Sequence, residues 1–115
     1  MKTFAQGEIY GRRVETAPHG LVPFSERNKT GDWIISHSES GHHHLLVSNG
    51  VTVLEQTKRV PRGMRIIYAL VEQPTRLYQD ATVPHGEHSL EPGIYEFRIA
   101  REYDPIMEQA RRVVD

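Results

Sequence analysis

The sequence contains no cysteine, which excludes disulfide bonds, thiolate nucleophiles and cysteine-ligated zinc and is typical of a reducing compartment. No apolar run approaches the roughly 18 residues of a membrane-spanning helix, and residues 1–8 lack the hydrophobic stretch of a signal peptide. We therefore expect a cytoplasmic protein with no membrane association. Any metal ion must be bound by His, Asp or Glu side chains.

An excess of charge of either sign is also missing. The chain has 14 Lys and Arg residues against 15 Asp and Glu residues, and the two signs are mixed along the sequence, so its charge does not support nucleic-acid binding. Apolar residues make up 37% and charged residues 25% of the 115 positions, which is typical of a folded chain. This length predicts a single domain over residues 1–115.

Short segments rich in β-forming residues, separated by turn residues, fill most of the chain. Asn49-Gly50 predicts a tight hairpin between two strands, because both residues tolerate positive φ. Residues 64–71 are almost continuously apolar and predict a central strand covered on both faces, whereas residues 94–101 alternate as a strand with one buried face does. About seven strands are expected, at residues 8–14, 32–38, 42–48, 51–57, 64–71, 76–83 and 94–101.

The remaining segments predict one long loop and one short helix. Residues 15–31 contain several Pro and Gly residues and show no periodicity. Asp104 as a cap and Pro105 at the first helical position predict a C-terminal helix that ends near Val113. Because strands do not alternate with helices, we expect an all-β fold, either a small sandwich or a small barrel. Uncovered sheet edges in such a fold also favour a homo-oligomer.

Histidine is concentrated in two short stretches. His42 and His44 flank His43 on a predicted strand, so they point to the same face with Cα atoms about 6.6 Å apart, while His43 points to the surface. A later turn-rich segment carries His85, Glu87 and His88, which a loop can direct towards the same point. Together these residues predict a site for metal binding or proton transfer, and imidazole ligands suit Zn, Fe, Ni or Cu better than Mg or Ca.

Both histidine stretches resemble cupin motifs. Cupins place a Gly-led His-x-His on one strand and a Pro-x-Gly-x-x-His on a later one, and here Gly41-His42-His43-His44 and Pro84-His85-Gly86-Glu87-His88 are similar to parts of them. The resemblance implies a cupin-like, metal-binding barrel with His42, His44 and His88 as ligands. His85 or Glu87 is then the fourth group, and zinc or iron is the first expectation for the ion. The glutamate that cupins carry shortly after the second histidine is missing, because residues 45–50 contain no acid.

A second resemblance covers most of residues 33–115. The two histidine stretches, Pro92-Gly93-Ile94-Tyr95 and Arg101-Glu102-Tyr103-Asp104-Pro105 are similar to segments of a family of small uncharacterised phage and bacterial proteins. This resemblance implies a phage or prophage context and no particular activity. It gives an alternative hypothesis of a non-enzymatic accessory protein, active in counter-defence, that binds a host protein or sequesters a small nucleotide. Arg98 and Arg101 are the candidates for binding an anionic ligand, because guanidinium groups bind phosphate and carboxylate bidentately.

Overall fold

The computed structural model describes residues 3–37, 42–80 and 86–100. Within these ranges the chain forms ten strands, three more than expected, and no helix, which confirms the all-β class. Of the two predicted architectures, the two sheets form a sandwich. The strands are β1 (Thr3–Gln6), β2 (Ile9–Val14), β3 (Val22–Pro23), β4 (Trp33–Ser36), β5 (His44–Leu46), β6 (Val51–Gln56), β7 (Met64–Val71), β8 (Thr75–Gln79), β9 (His88–Leu90) and β10 (Gly93–Ala100).

The larger sheet has six strands in the order β1-β2-β10-β7-β6-β3. Its centre is formed by β10 and β7, which pair antiparallel along their whole lengths, from Gly93 opposite Val71 to Ala100 opposite Met64. Residues 66–69 of β7 are all buried, which confirms the prediction of a central strand covered on both faces. In β10, Tyr95, Phe97 and Ile99 are buried on one face as the alternation predicts.

The smaller sheet has four strands in the order β4-β5-β8-β9. Its apolar residues pack against the inner face of the larger sheet and form one core, which removes the apolar faces of both sheets from water. Both sheets contribute fully buried members to this core, including Ile35, Leu46 and Leu77 from the smaller sheet and Ile9, Ile67 and Phe97 from the larger.

Asn49-Gly50 forms a turn, but the predicted hairpin is wrong. Val51 N donates to Ser48 O at 3.1 Å, and Gly50 has a φ of 68°. The turn nevertheless joins β5 of the smaller sheet to β6 of the larger sheet, so these strands do not pair with each other. Leu46 and Val51 enter the same core from opposite sides. Turn residues specify a reversal of the chain and leave open which sheet the next strand joins.

The other predicted strands differ from the observed strands mainly in where they begin and end. Every predicted strand overlaps an observed one, whereas β1, β3 and β9 lie in segments that the pattern left unassigned or assigned to loops. His42 and His43 precede β5, which begins at His44. The predicted helix at 104–113 lies outside the described residues. No helix among the described residues has the length and apolar character required to cross a membrane.

Candidate metal centre

Among the predicted ligands within the described ranges, His44 has the most buried position. It is the first residue of β5 and lies opposite Ser36 of β4 and Gln79 of β8. Only 1% of its side chain is exposed. The ring contacts Gln6 and Glu8, which belong to β1 and to the turn that joins β1 to β2. His44 therefore connects the smaller sheet to one end of the larger sheet.

Gln6 fixes which nitrogen of the His44 ring carries hydrogen. The Gln6 side-chain amide donates to Leu77 O at 3.2 Å and to Gly86 O at 2.9 Å, and these bonds use both of its hydrogens. Its oxygen Oε1 lies 2.8 Å from Nδ1 of His44. An amide oxygen can only accept, so Nδ1 of His44 is the donor. The other ring nitrogen, Nε2, is directed at Glu8.

Glu8 presents its carboxylate to the same buried space. Its Oε1 accepts a hydrogen bond from Ser36 Oγ at 2.6 Å. Its Oε2 lies 3.2 Å from Nε2 of His44, and the Glu8 side chain is 7% exposed. This contact has the distance of an ion pair without the geometry of a hydrogen bond, so Oε2 is a buried acceptor without a hydrogen-bond donor in the described part of the chain.

The space between His44 Nε2 and Glu8 Oε2 favours a positively charged species. A buried acceptor left unsatisfied costs about 1–3 kcal/mol, and either a proton or a metal cation between the two atoms would remove that cost. Imidazole nitrogen and carboxylate oxygen are both common ligands of zinc and iron. The Nδ1–H bond to Gln6 is also the type of contact that orients a metal-ligating histidine.

His42 and His88 are each bonded to a backbone carbonyl. His42 Nδ1 donates to Asp80 O at 3.0 Å, and His88 Nε2 donates to Ala5 O at 3.0 Å. The His88 ring also stacks on Phe4, with 4.9 Å between the ring centroids. Each ring thus has one nitrogen engaged, which leaves Nε2 of His42 and Nδ1 of His88 as the atoms that a metal could use.

Glu87 lies on the surface. Its side chain is 55% exposed, and its carboxylate is 3.6 Å from the Arg76 guanidinium. His85 lies outside the described residues. Within residues 3–37, 42–80 and 86–100, no three His, Asp or Glu side chains form a group that could hold a metal ion. The described site is therefore a pair, His44 and Glu8, and the wider ligand set predicted from the sequence stays a prediction.

The sequence analysis missed Gln6, Glu8 and Ser36. β1 pairs with β2 through a tight connection, with Gln6 opposite Ile9, and Gly7 has a φ of 57° that suits a turn. The signal for this hairpin is the Gln6-Gly7-Glu8 segment between two short β-forming runs, but nothing in it indicates contact with a strand near residue 44. Ser36 lies in a predicted strand, and no contact with a site residue is predicted for it.

Arg98, one of the two predicted anion-binding residues, lies beside a buried carboxylate of its own strand. Arg98 Nε donates to Glu96 Oε1 at 2.9 Å, and Glu96 also accepts from Arg12 and from the Tyr68 hydroxyl. Burial raises the pKa of Glu96, but the hydrogen bonds from Arg12, Arg98 and Tyr68 outweigh it and lower the pKa to about 2. Burial and the bond to Glu96 raise the pKa of Tyr68 to about 12. Arg101 lies outside the described residues.

The family model described as "Domain of unknown function (DUF8820)" matches residues 5–100. The chain belongs to the DUF8820 family. Glu8, His44 and His88 all lie within the DUF8820 match, whereas the predicted C-terminal helix lies beyond it. No curated protein and no solved structure matches this DUF8820 chain significantly.

Proposed function

We propose that this protein binds a divalent transition metal ion between Nε2 of His44 and the carboxylate of Glu8. The observation that carries the proposal is the buried Glu8 Oε2, which lies 3.2 Å from Nε2 of His44 and has no hydrogen-bond donor among the described residues. Zinc and iron are the first candidates, because both accept mixed nitrogen and oxygen ligands.

Glu8 would supply the carboxylate that the cupin-like motif lacks. Residues 45–50 contain no acid, but the β1–β2 turn brings an acid from the other sheet to the same histidine. Gln6 would hold the His44 ring in the tautomer that directs Nε2 to the ion, and Ser36 would hold the carboxylate. Water would complete the coordination.

Metal analysis of protein purified without nickel resin tests the proposal. We expect near-stoichiometric zinc or iron in the wild type and none in Glu8→Gln. This substitution is suitable because a glutamine amide can donate to Nε2 of His44 and still accept from Ser36, so the pair stays hydrogen-bonded without a cation. A folded Glu8→Gln variant without metal would separate loss of the ligand from loss of the fold.

His43→Ala is the matched control, because the His43 ring packs against His37 with 4.8 Å between centroids and is not part of the pair. We expect this variant to keep its metal. If wild type contains no metal even after supplementation with zinc and iron salts, a shared proton between Glu8 and His44 is the better explanation and the proposal is wrong. His42→Ala and His88→Ala would show which of the other predicted ligands contribute.

The cellular setting is part of the same proposal. The motif resemblance described above favours a cytoplasmic protein encoded by phage or prophage genomes. If genes for DUF8820 proteins lie mainly outside phage and prophage regions, this setting is wrong. The predicted homo-oligomer is checked by light scattering over a range of concentrations, where a constant monomer mass would contradict it.

A further inference from the structure

A cavity of about 230 Å³ lies between β1, β9 and β10, apart from the pair formed by Glu8 and His44. Its volume is equivalent to roughly eight water molecules at about 30 Å³ each. The cavity has an apolar side formed by Phe4, Leu90 and Tyr95, and charged residues at its rim. This combination of apolar surface and a few polar groups is typical of a small-molecule site.

Two aromatic rings, those of Phe4 and Tyr95, line the apolar side of the cavity. Leu90 and Tyr95 are buried, and the Phe4 ring is held between His88 at 4.9 Å and Phe97 at 6.1 Å. Aromatic rings held in this way favour another planar ring, in stacked or edge-to-face contact. The Tyr95 hydroxyl is already used, because it donates to Glu91 O at 2.7 Å.

The rim carries one well-positioned cation, Arg13. Its Nη2 donates to Pro92 O at 2.7 Å, and the guanidinium packs against Gly93, where an added Cβ would lie 2.6 Å from Nε. Gly93 has a φ of 158°. The absence of a side chain at Gly93 thus allows Arg13 to lie against the backbone with N–H groups left to bind a carboxylate.

Two carboxylates also line the cavity, and they differ in their surroundings. Glu87 lies 3.6 Å from Arg76, which offsets part of its charge. Glu91 and Arg13 both adjoin Tyr95: the Tyr95 hydroxyl donates to Glu91 O at 2.7 Å, and Arg13 lies opposite Tyr95 in the β10–β2 pair. The rim therefore places one cation and one carboxylate beside the same aromatic surface.

We infer that this cavity binds a free aromatic amino acid, with its ring on Phe4 and Tyr95, its carboxylate on Arg13 and its ammonium group on Glu91. A zwitterion matches both rim charges, whereas a nucleotide with two or more negative charges would meet Glu87 and Glu91 unfavourably. Neither Glu8 nor His44 lines the cavity, although His88 and Glu87, two of the metal ligands predicted from the sequence, do.

Isothermal titration calorimetry of the full chain with phenylalanine, tyrosine and tryptophan tests this assignment. At least one of them should bind saturably with one molecule per chain. 3-Phenylpropanoate lacks the ammonium group and 2-phenylethylamine lacks the carboxylate, so each should bind about tenfold or more weakly. The assignment is wrong if none of the three amino acids binds at millimolar concentration, if either analogue binds as tightly, or if adenosine monophosphate binds more tightly.

Two substitutions test whether the ligand binds in this cavity. Arg13→Gln and Glu91→Gln should each weaken binding about tenfold or more, because each removes one charge-assisted hydrogen bond. Arg62→Gln is the control, since Arg62 is exposed in the connection between β6 and β7, does not line the cavity and should leave affinity unchanged. If Arg13→Gln lowers the melting temperature, the affinity of Glu91→Gln decides whether the ligand binds in this cavity. The described hydrogen bond of Glu91 uses its backbone carbonyl, so this substitution leaves that bond in place. Wild-type affinity in Glu91→Gln would overturn the assignment.

Discussion

Nε2 of His44 and Oε2 of Glu8 lie 3.2 Å apart inside the sandwich, with 1% and 7% of the two side chains exposed. The contact joins the turn between β1 and β2 of the larger sheet to β5 of the smaller sheet. A carboxylate buried in this way is stable only when a positive partner lies close to it. A cation bound between the two side chains, as proposed above, should therefore stabilise the fold.

Removing the metal should lower the melting temperature of wild type and leave Glu8→Gln unchanged. An ion that binds only the native state adds about 2.7 kcal/mol when its free concentration is a hundred times the Kd. Differential scanning calorimetry before and after treatment with a chelator measures the change. An unchanged wild-type melt, with complete removal confirmed by metal analysis, would count against a stabilising ion.

Gln6→Ala should decrease the free energy of unfolding by about 1–3 kcal/mol, because it removes the hydrogen bonds of the Gln6 amide to His44 Nδ1, Leu77 O and Gly86 O. Metal affinity should fall by about 10- to 100-fold, since the ring loses the contact that orients it. Urea denaturation and metal titration measure the two effects. Gln73→Ala is the control, because Gln73 bonds Asn49 at the surface, and its effect should stay within about 0.5 kcal/mol. Equal effects of the two substitutions would refute the structural role given to Gln6.

Gly11→Ala should destabilise the fold by about 1–3 kcal/mol. The Phe4 ring lies directly over Gly11, and an added Cβ would be 2.3 Å from Cζ of Phe4, so the ring must leave its contacts with Phe97 and His88. Binding of an aromatic amino acid should weaken together with stability, because Phe4 lines the cavity. Gly86→Ala, where nothing lies within 4 Å of the added carbon, should change the free energy of unfolding by less than about 0.5 kcal/mol.

Glu96 should make the stability of the protein depend on pH in the acid range. Its pKa is about 2 in the folded protein against a reference value of 4.5, so the carboxylate stabilises the fold above pH 4.5. That stability is lost as the pH falls from 4.5 towards about 2, because the unfolded chain takes up the proton first. Glu96→Gln should lose less unfolding free energy over this interval than wild type does, as measured by urea denaturation at several pH values. Glu15→Gln, at an exposed position, should parallel wild type.

Local sequence determined seven of the ten strands and, for the most regular of them, which face is buried, whereas β1, β3 and β9 were not predicted. The alternation of Tyr95, Phe97 and Ile99 and the apolar run of β7 were sufficient to predict the burial of these two strands. The two-residue period of a strand fixes which side chains share a face. The absence of alternating helices likewise determined the all-β class. The histidine motif predicted His44 as a metal ligand, and this stays a prediction; its contacts with Gln6 and Glu8 were not predicted.

Only the tertiary structure decided which strands lie side by side. The Asn49-Gly50 turn has the residues of a hairpin, yet it carries the chain from one sheet to the other because Leu46 and Val51 both enter the core between the sheets. In the same way, Gln6 and Glu8 meet His44 because the β1–β2 hairpin packs at the end of β5. Contacts between distant segments depend on how two sheets bury their apolar faces together, and no short stretch of sequence contains that information.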